Sequence, residues 1–169
     1  RSIAFLSDRE QAHINRVRIL DLETRTDRAI APIDGFVETL QWSPDGRTIL
    51  LGVAGYGSDL AGAQGAMAIG LDAADADQPG WAPVIEGRPQ AAAWRSVWLY
   101  DVVADSARRV TPTGVNVWQA TWCGTDHIAA ICSDKPEENW WYTADVRLIA
   151  IGSDVVRSLY TPADQLGWL

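Results

Sequence analysis

The chain has 169 residues, 47% of them hydrophobic, which is enough to bury a substantial core and too much for general disorder. Its formal net charge is −8 and Lys135 is its only lysine, so it lacks the clustered cations that nucleic-acid phosphates require. No apolar run approaches the roughly 20 residues of a membrane-spanning helix, so neither nucleic acid nor membrane is expected as a partner.

The first predicted element is a strand in SIAFLSDRE, over Ile3 to Leu6. Arg1 and Ser2 already stand at that strand, leaving neither a Met start nor a leader. No feature marks a compartment, and the cytoplasm is the default expectation. Val17-Arg18-Ile19-Leu20-Asp21 predicts the next strand, and RAIAPI a further one ending near Pro32. Leu40 to Gly52, LQWSPDGRTILLG, then reads as a β-hairpin. Pro44 presets φ for the first central turn position, Asp45 can bond its own backbone in the second, and Gly46 accepts the left-handed conformation that closes the turn with a bulge.

This pattern recurs. Trp122 lies 80 residues after Trp42, in ATWCGTDHIAAICSD, where the turn is about one residue shorter but the apolar run Ile128 to Ile131 returns. The strand at Val17 is repeated at Val97 to Asp101 and Val146 to Ala150, and RAIAPI is repeated in RRVTPTG and RSLYTPAD. The third strand precedes the next Trp by 25 residues in both complete cases, and precedes its closing Pro by 15, 15 and 16. Only the link between second and third strands stretches: 14 residues from Ile3 to Val17, 48 from Ile49 to Val97, 18 from Ile128 to Val146. Four strands per unit, rigidly spaced around one elastic loop, predict an all-β chain of antiparallel four-stranded blades, an incomplete β-propeller. The expected division is a partial blade over 1–35, a blade over 36–115 with an insertion at about 55–93, a blade over 116–165, and the start of another at 166–169. Such a stretch is expected to be covered at its ends by the rest of the propeller or by self-association as a homo-oligomer.

The insertion, about Gly55 to Ala93, is rich in Ala and Gly, with Arg88 its one basic residue. GYGSDLAGAQGAMAIGL has glycines but neither GxxxxGK[ST] nor dinucleotide spacing, so it reads as a long excursion that Trp81 and Trp94 anchor to the blade or to a partner. Cys123 and Cys132 lie on two arms of one hairpin, but its turn brings Cys123 nearer Ile128, too far for a bridge. His13 and His127 fall in separate connections, and no metal or cofactor is expected. No serine has glycine at both −2 and +2. Ser133, His127 and Asp126 make a nominal trio without supporting spacing, so no catalytic residue is assigned. Tryptophan is enriched; Trp42 and Trp122 are expected as core between blades, as are Trp98 and Trp118.

SDKPEENWWYTAD sets Glu137 and Glu138 beside Trp140, Trp141 and Tyr142. It is either a solvated acidic loop whose aromatics begin a strand, or a place where carboxylates meet a cation beside aromatic surface. WSPDGRTILLG, followed by strands of the VWLYDVV and ARRVTPTG type, resembles the N-terminal propeller repeats of the prolyl oligopeptidase family of serine peptidases, especially the acylaminoacyl-peptidase and dipeptidyl-peptidase branches. IAFLSDRE and ICSDKPEENWWYTADVRLIAI look like the same repeat. The resemblance implies a C-terminal α/β-hydrolase domain, not in this chain, that carries the catalytic Ser, Asp and His. The propeller would gate that domain and admit short peptides. In the dipeptidyl branch a Glu pair holds the substrate's free α-amino group, and Glu137-Glu138 matches that pair as a dipeptide. SPDG hairpins also occur in TolB-like propellers that bind proteins and do no chemistry, which is the alternative.

Overall fold

The structure, a computed structural model, describes residues 1–11, 14–56, 58, 94–153 and 155–163. These form three antiparallel sheets in chain order. The first holds β1 (Ser2–Ser7), β2 (Arg16–Asp21) and β3 (Asp27–Ala29). The second holds β4 (Phe36–Trp42), β5 (Thr48–Ala54), β6 (Arg95–Asp101) and β7 (Ser106–Arg109). The third holds β8 (Asn116–Cys123), β9 (His127–Ser133), β10 (Asp145–Ala150) and β11 (Val156–Tyr160). A 3₁₀ helix, Glu138–Thr143, links β9 to β10. Every strand pairs with its sequence neighbour within a sheet.

The hairpin chemistry explains the tight connections. In the β4–β5 turn Gly46 N donates to Ser43 O at 2.9 Å, and Gly46 takes φ 70°. Asp45 accepts from Arg47 N at 3.1 Å and from Ser43 Oγ at 2.6 Å, so its own turn holds its carboxyl below the usual aspartate range. Trp42 pairs with Ile49, and Trp122 with Ile128, which is the same register in successive hairpins.

The sheets stack face to face, and the core lies between them. Val17, Ile19 and Ile30 of the first sheet side meet Val37, Ile49, Leu51, Val53 and Tyr100 of the second. On the second sheet's other face, Leu50, Val97 and Leu99 meet Val117, Ile128, Ala130, Cys132 and Ile149 of the third. Period-two alternation therefore sends Ile49 and Leu51 one way and Leu50 the other. β5 reads as a continuous apolar run because both its faces are covered. Each fully covered Ile or Leu contributes about 1.5–3 kcal/mol relative to an exposed one.

Trp42 and Trp98 pack against the core between the first two sheets and Trp122 against the core between the second and third, as expected, although these three and Trp118 are only half-buried. Their indole N–H groups need acceptors, and three find them at the margins of the sheets: Trp122 on Gln41 O at 3.2 Å, Trp118 on Ser133 Oγ at 2.9 Å, and Trp98 on Ser96 Oγ at 3.1 Å. Trp94 is also half-buried, and its carbonyl accepts from Gly55 N at 3.0 Å, which closes the neck of the insertion. The glycine-rich reading, Trp81 and the terminal stretch 166–169 lie outside the described residues.

Candidate functional site

The connections after β1, β5 and β9 occupy the same place in the three units, so the insertion and the Glu137 loop leave from one end of the stack. At that end a chain of charged and aromatic groups joins the second sheet to the third. The buried Arg95 guanidinium, at the start of β6, pairs with the buried Glu38 carboxylate of β4, Nε to Oε2, at 3.2 Å. Its guanidinium carbon also lies 5.3 Å from the centre of the Trp118 ring. Trp118 in turn meets Trp141 edge to face, with centroids 5.7 Å apart. Arg95 N donates to Asn116 Oδ1 at 2.7 Å, and the Ser133 hydroxyl that receives Trp118 donates to Lys135 O at 2.7 Å. The cation–aromatic contact and the ion pair together offset the cost of burying the guanidinium.

Glu137 caps the 3₁₀ helix with extended backbone, φ −69° and ψ 145°. Its carbonyl accepts from Trp140 N at 2.9 Å, while its side chain makes no capping bond. The side chain instead turns inward: Oε2 is buried and has no hydrogen-bond partner among the described residues. The Asn116 Nδ2 donor is buried in the same condition. Glu138 opens the helix, and its side chain lies outside the described residues. Beside it Lys135 Nζ sits 4.7 Å from the centre of the Trp140 ring. The loop's aromatics thus form the helix and end before β10 begins.

Other candidate chemistry separates in space. Ser133 and His127 stand at opposite ends of β9, roughly 20 Å apart at strand rise. His127 Nδ1 contacts Asp126 Oδ1 at 2.9 Å, but Ser133 is committed to Trp118 and Lys135. Cys123 is exposed and Cys132 buried, both free, with Cys123 opposite His127 and Cys132 opposite Val117. Burial pushes the Cys132 thiol up to about 12, which makes it inert at neutral pH. His13 lies outside the described residues, and among those residues no three His, Cys, Asp or Glu side chains gather as a metal set. Among them, too, no helix is long and apolar enough to cross a membrane.

Sequence reading missed Arg95, Glu38 and Asn116. The signal present was a lone charge at the head of RSVWLY, where all but one of the following residues are buried. Its partner lies 57 positions away, beyond any local pattern.

No family model matches the chain, and no curated protein matches it. Solved structures do. A TolB from Agrobacterium tumefaciens superposes with TM-score 0.58 at 14% identity, over 95% of this chain and 45% of that one. Porphyromonas gingivalis dipeptidyl peptidase 4 gives 0.55 at 13%, over 97% and 24%. The β-propeller domain of the Trilobed protease from Pyrococcus furiosus gives 0.52 at 15%, over 94% and 39%. The three sheets are propeller blades. Identities this low establish the fold alone, and this chain spans less than half of each of those chains. As blades, the sheets explain why the loops gather at one end, since each blade repeats one order of strands and turns.

Proposed function

We propose that this propeller stretch belongs to a serine peptidase of the prolyl oligopeptidase type, where it gates entry and selects short peptides. The blade division stands as proposed from spacing: 1–35, 36–115 with its insertion, 116–165, and a further blade beginning at 166. The catalytic Ser, Asp and His would lie in an α/β-hydrolase domain outside this chain. Glu137, with Glu138, would take the free α-amino group of the peptide, as in the dipeptidyl branch.

The observation that carries this reading is the buried Oε2 of Glu137, without a hydrogen-bond partner among the described residues and set in the loop that follows β9. A carboxylate oxygen removed from water without a donor is costly, and an ammonium restores the balance through charge-assisted hydrogen bonds. Glu137→Gln and Glu138→Gln in the full-length enzyme are each expected to raise KM for free-amino peptides about ten- to a hundredfold, from roughly 1.5–3 kcal/mol of lost contact. N-blocked peptides should be cleaved as before. Equal effects on both substrates would remove the amine-binding role.

A second reading is favoured by the TolB superposition, which covers the same 95% of this chain. There the propeller is non-catalytic and binds protein partners. A GxSxG followed by Asp and His in the parent sequence decides for the peptidase, and its absence for the binding module.

A further inference from the structure

We propose that the hollow between the second and third blades, beside Arg108 and Trp122, binds a small phenolic ligand by its ring and its hydroxyl.

The junction between the first and second blades shows what fills such a place. Arg28 pairs with Ile19 and Arg108 with Leu99, so the two arginines hold one position on the fourth strands of successive blades. Arg28 Nη2 donates to Val102 O of the next blade at 3.3 Å, and Arg108 Nη2 to Ile151 O of its next blade at 3.1 Å. Val102 and Ile151 are equivalent, each five residues past the Val that opens the third-strand motif. Ile49 pairs with Tyr100 as Ile128 pairs with Ile149, so those positions correspond too. The tryptophans recur as well, Trp42 packing against the first core and Trp122 against the second.

The two junctions differ in the third-strand side chain that approaches the arginine. Tyr100 is fully buried, and its hydroxyl accepts from Arg28 Nη1 at 2.9 Å and donates to Asp105. The Arg28 guanidinium carbon also lies 5.9 Å from the centre of that ring. Ile149 has neither ring nor hydroxyl, so the second junction keeps the arginine and loses the phenol. Arg108 retains the Ile151 carbonyl as its one hydrogen-bond partner among the described residues. Asp154, which stands where Asp105 does in the repeat, lies outside them.

A hollow of about 310 Å³ lies at this second junction, lined by Leu99, Arg108 and Trp122 together with the hydroxyl residues Thr48, Ser106 and Thr125. That volume stands at the lower end of the range for small-molecule sites. Asp101 also borders it, but its Oδ1 accepts from Val103 N at 2.9 Å and Ala104 N at 2.8 Å, so this carboxylate is tied to its own turn. Arg108 is the cation of the lining. A ring set between Leu99 and Trp122 gains apolar burial and an aromatic contact, and a hydroxyl beside Arg108 gains a charge-assisted hydrogen bond. An aliphatic alcohol lacks the first of these and a plain arene the second.

The test is saturation-transfer NMR on the full-length protein with p-cresol, which is the tyrosine side chain as a free molecule, and with toluene, which is the ring alone. Saturable binding of p-cresol is expected, about tenfold tighter than that of toluene, and Arg108→Gln should remove the preference. Tyr100 stands beside Ala107 and Ile149 beside Val156, so Ile149→Tyr with Val156→Ala rebuilds the first junction's neighbours. That double variant should fill the hollow from within and abolish p-cresol binding. Arg108 is exposed, so its variant carries the test even where the double variant does not fold. Absence of saturable binding would leave the hollow to solvent and overturn the proposal. Equal affinity for toluene, a preference that survives Arg108→Gln, or binding that survives in the folded double variant would overturn it too.

Discussion

At the scale of single residues, a titrating pair on the second blade receives an arginine from the first. Tyr100 donates its hydroxyl to Asp105, and Arg28 reaches both. The Tyr100 bond, then Arg28, holds the Asp105 carboxyl below its ordinary 3.8. Burial, then Asp105, pushes the Tyr100 hydroxyl above its ordinary 10.0. For Asp105 the stabilisation is present above the unfolded value and lost as pH falls through the lower folded one. For Tyr100 it is complete below the unfolded value and lost as pH rises through the higher folded one. Asp105→Asn should therefore lower the urea midpoint at pH 6, and the gap from the parent should narrow as pH is taken below 3.8 to 2. A gap unchanged across that range would show that Asp105 stabilises nothing by its charge. None of this was readable beforehand, since Arg28 and Asp105 lie 77 positions apart and neither stands in a motif. Glu137 was readable as an acid beside aromatics, but the burial of its Oε2 arises from packing that no local pattern encodes.

At the scale of elements, far more was legible, because strand alternation and turn chemistry are local. Pro44, Asp45 and Gly46 specify their hairpin from within four residues, and the 80-residue repeat of Trp42 at Trp122 reflects one register used twice. The half-burial of those tryptophans was not legible, since it depends on where the neighbouring blade's margin falls. Gly35 shows the same division. It carries φ 123° at the entry to β4, and a Cβ there would stand 2.5 Å from Ala54 O and 2.8 Å from Val53 Cγ1. Both neighbours belong to the second strand of the same blade, so neither can retreat without breaking the β4–β5 ladder. Gly35→Ala is expected to cost about 1–3 kcal/mol in urea unfolding. Gly46→Ala, at φ 70° with open space around it, should cost only about 1–2 kcal/mol for the left-handed backbone. If the Gly46 variant proves the weaker of the two, the close approach at Gly35 is not what limits that position.

At the scale of the whole molecule, burial belongs to the stack rather than to the repeat. Ile3, Ile49 and Ile128 hold one position in three successive blades, and nothing in their own sequence context separates them. Ile49 and Ile128 are fully covered because a blade precedes each of them in the chain, while Ile3 is half exposed. Stability in such an array is a sum of repeat and nearest-neighbour terms, so an identical substitution should report the neighbour rather than the residue. Ile49→Ala and Ile128→Ala are each expected to cost about 2–5 kcal/mol, through lost transfer energy and the cavity left behind. Ile3→Ala should cost no more than about 1 kcal/mol. Equal losses at all three positions would mean that the exposure of Ile3 does not set its contribution, and that burial against a preceding blade is not what separates the three positions.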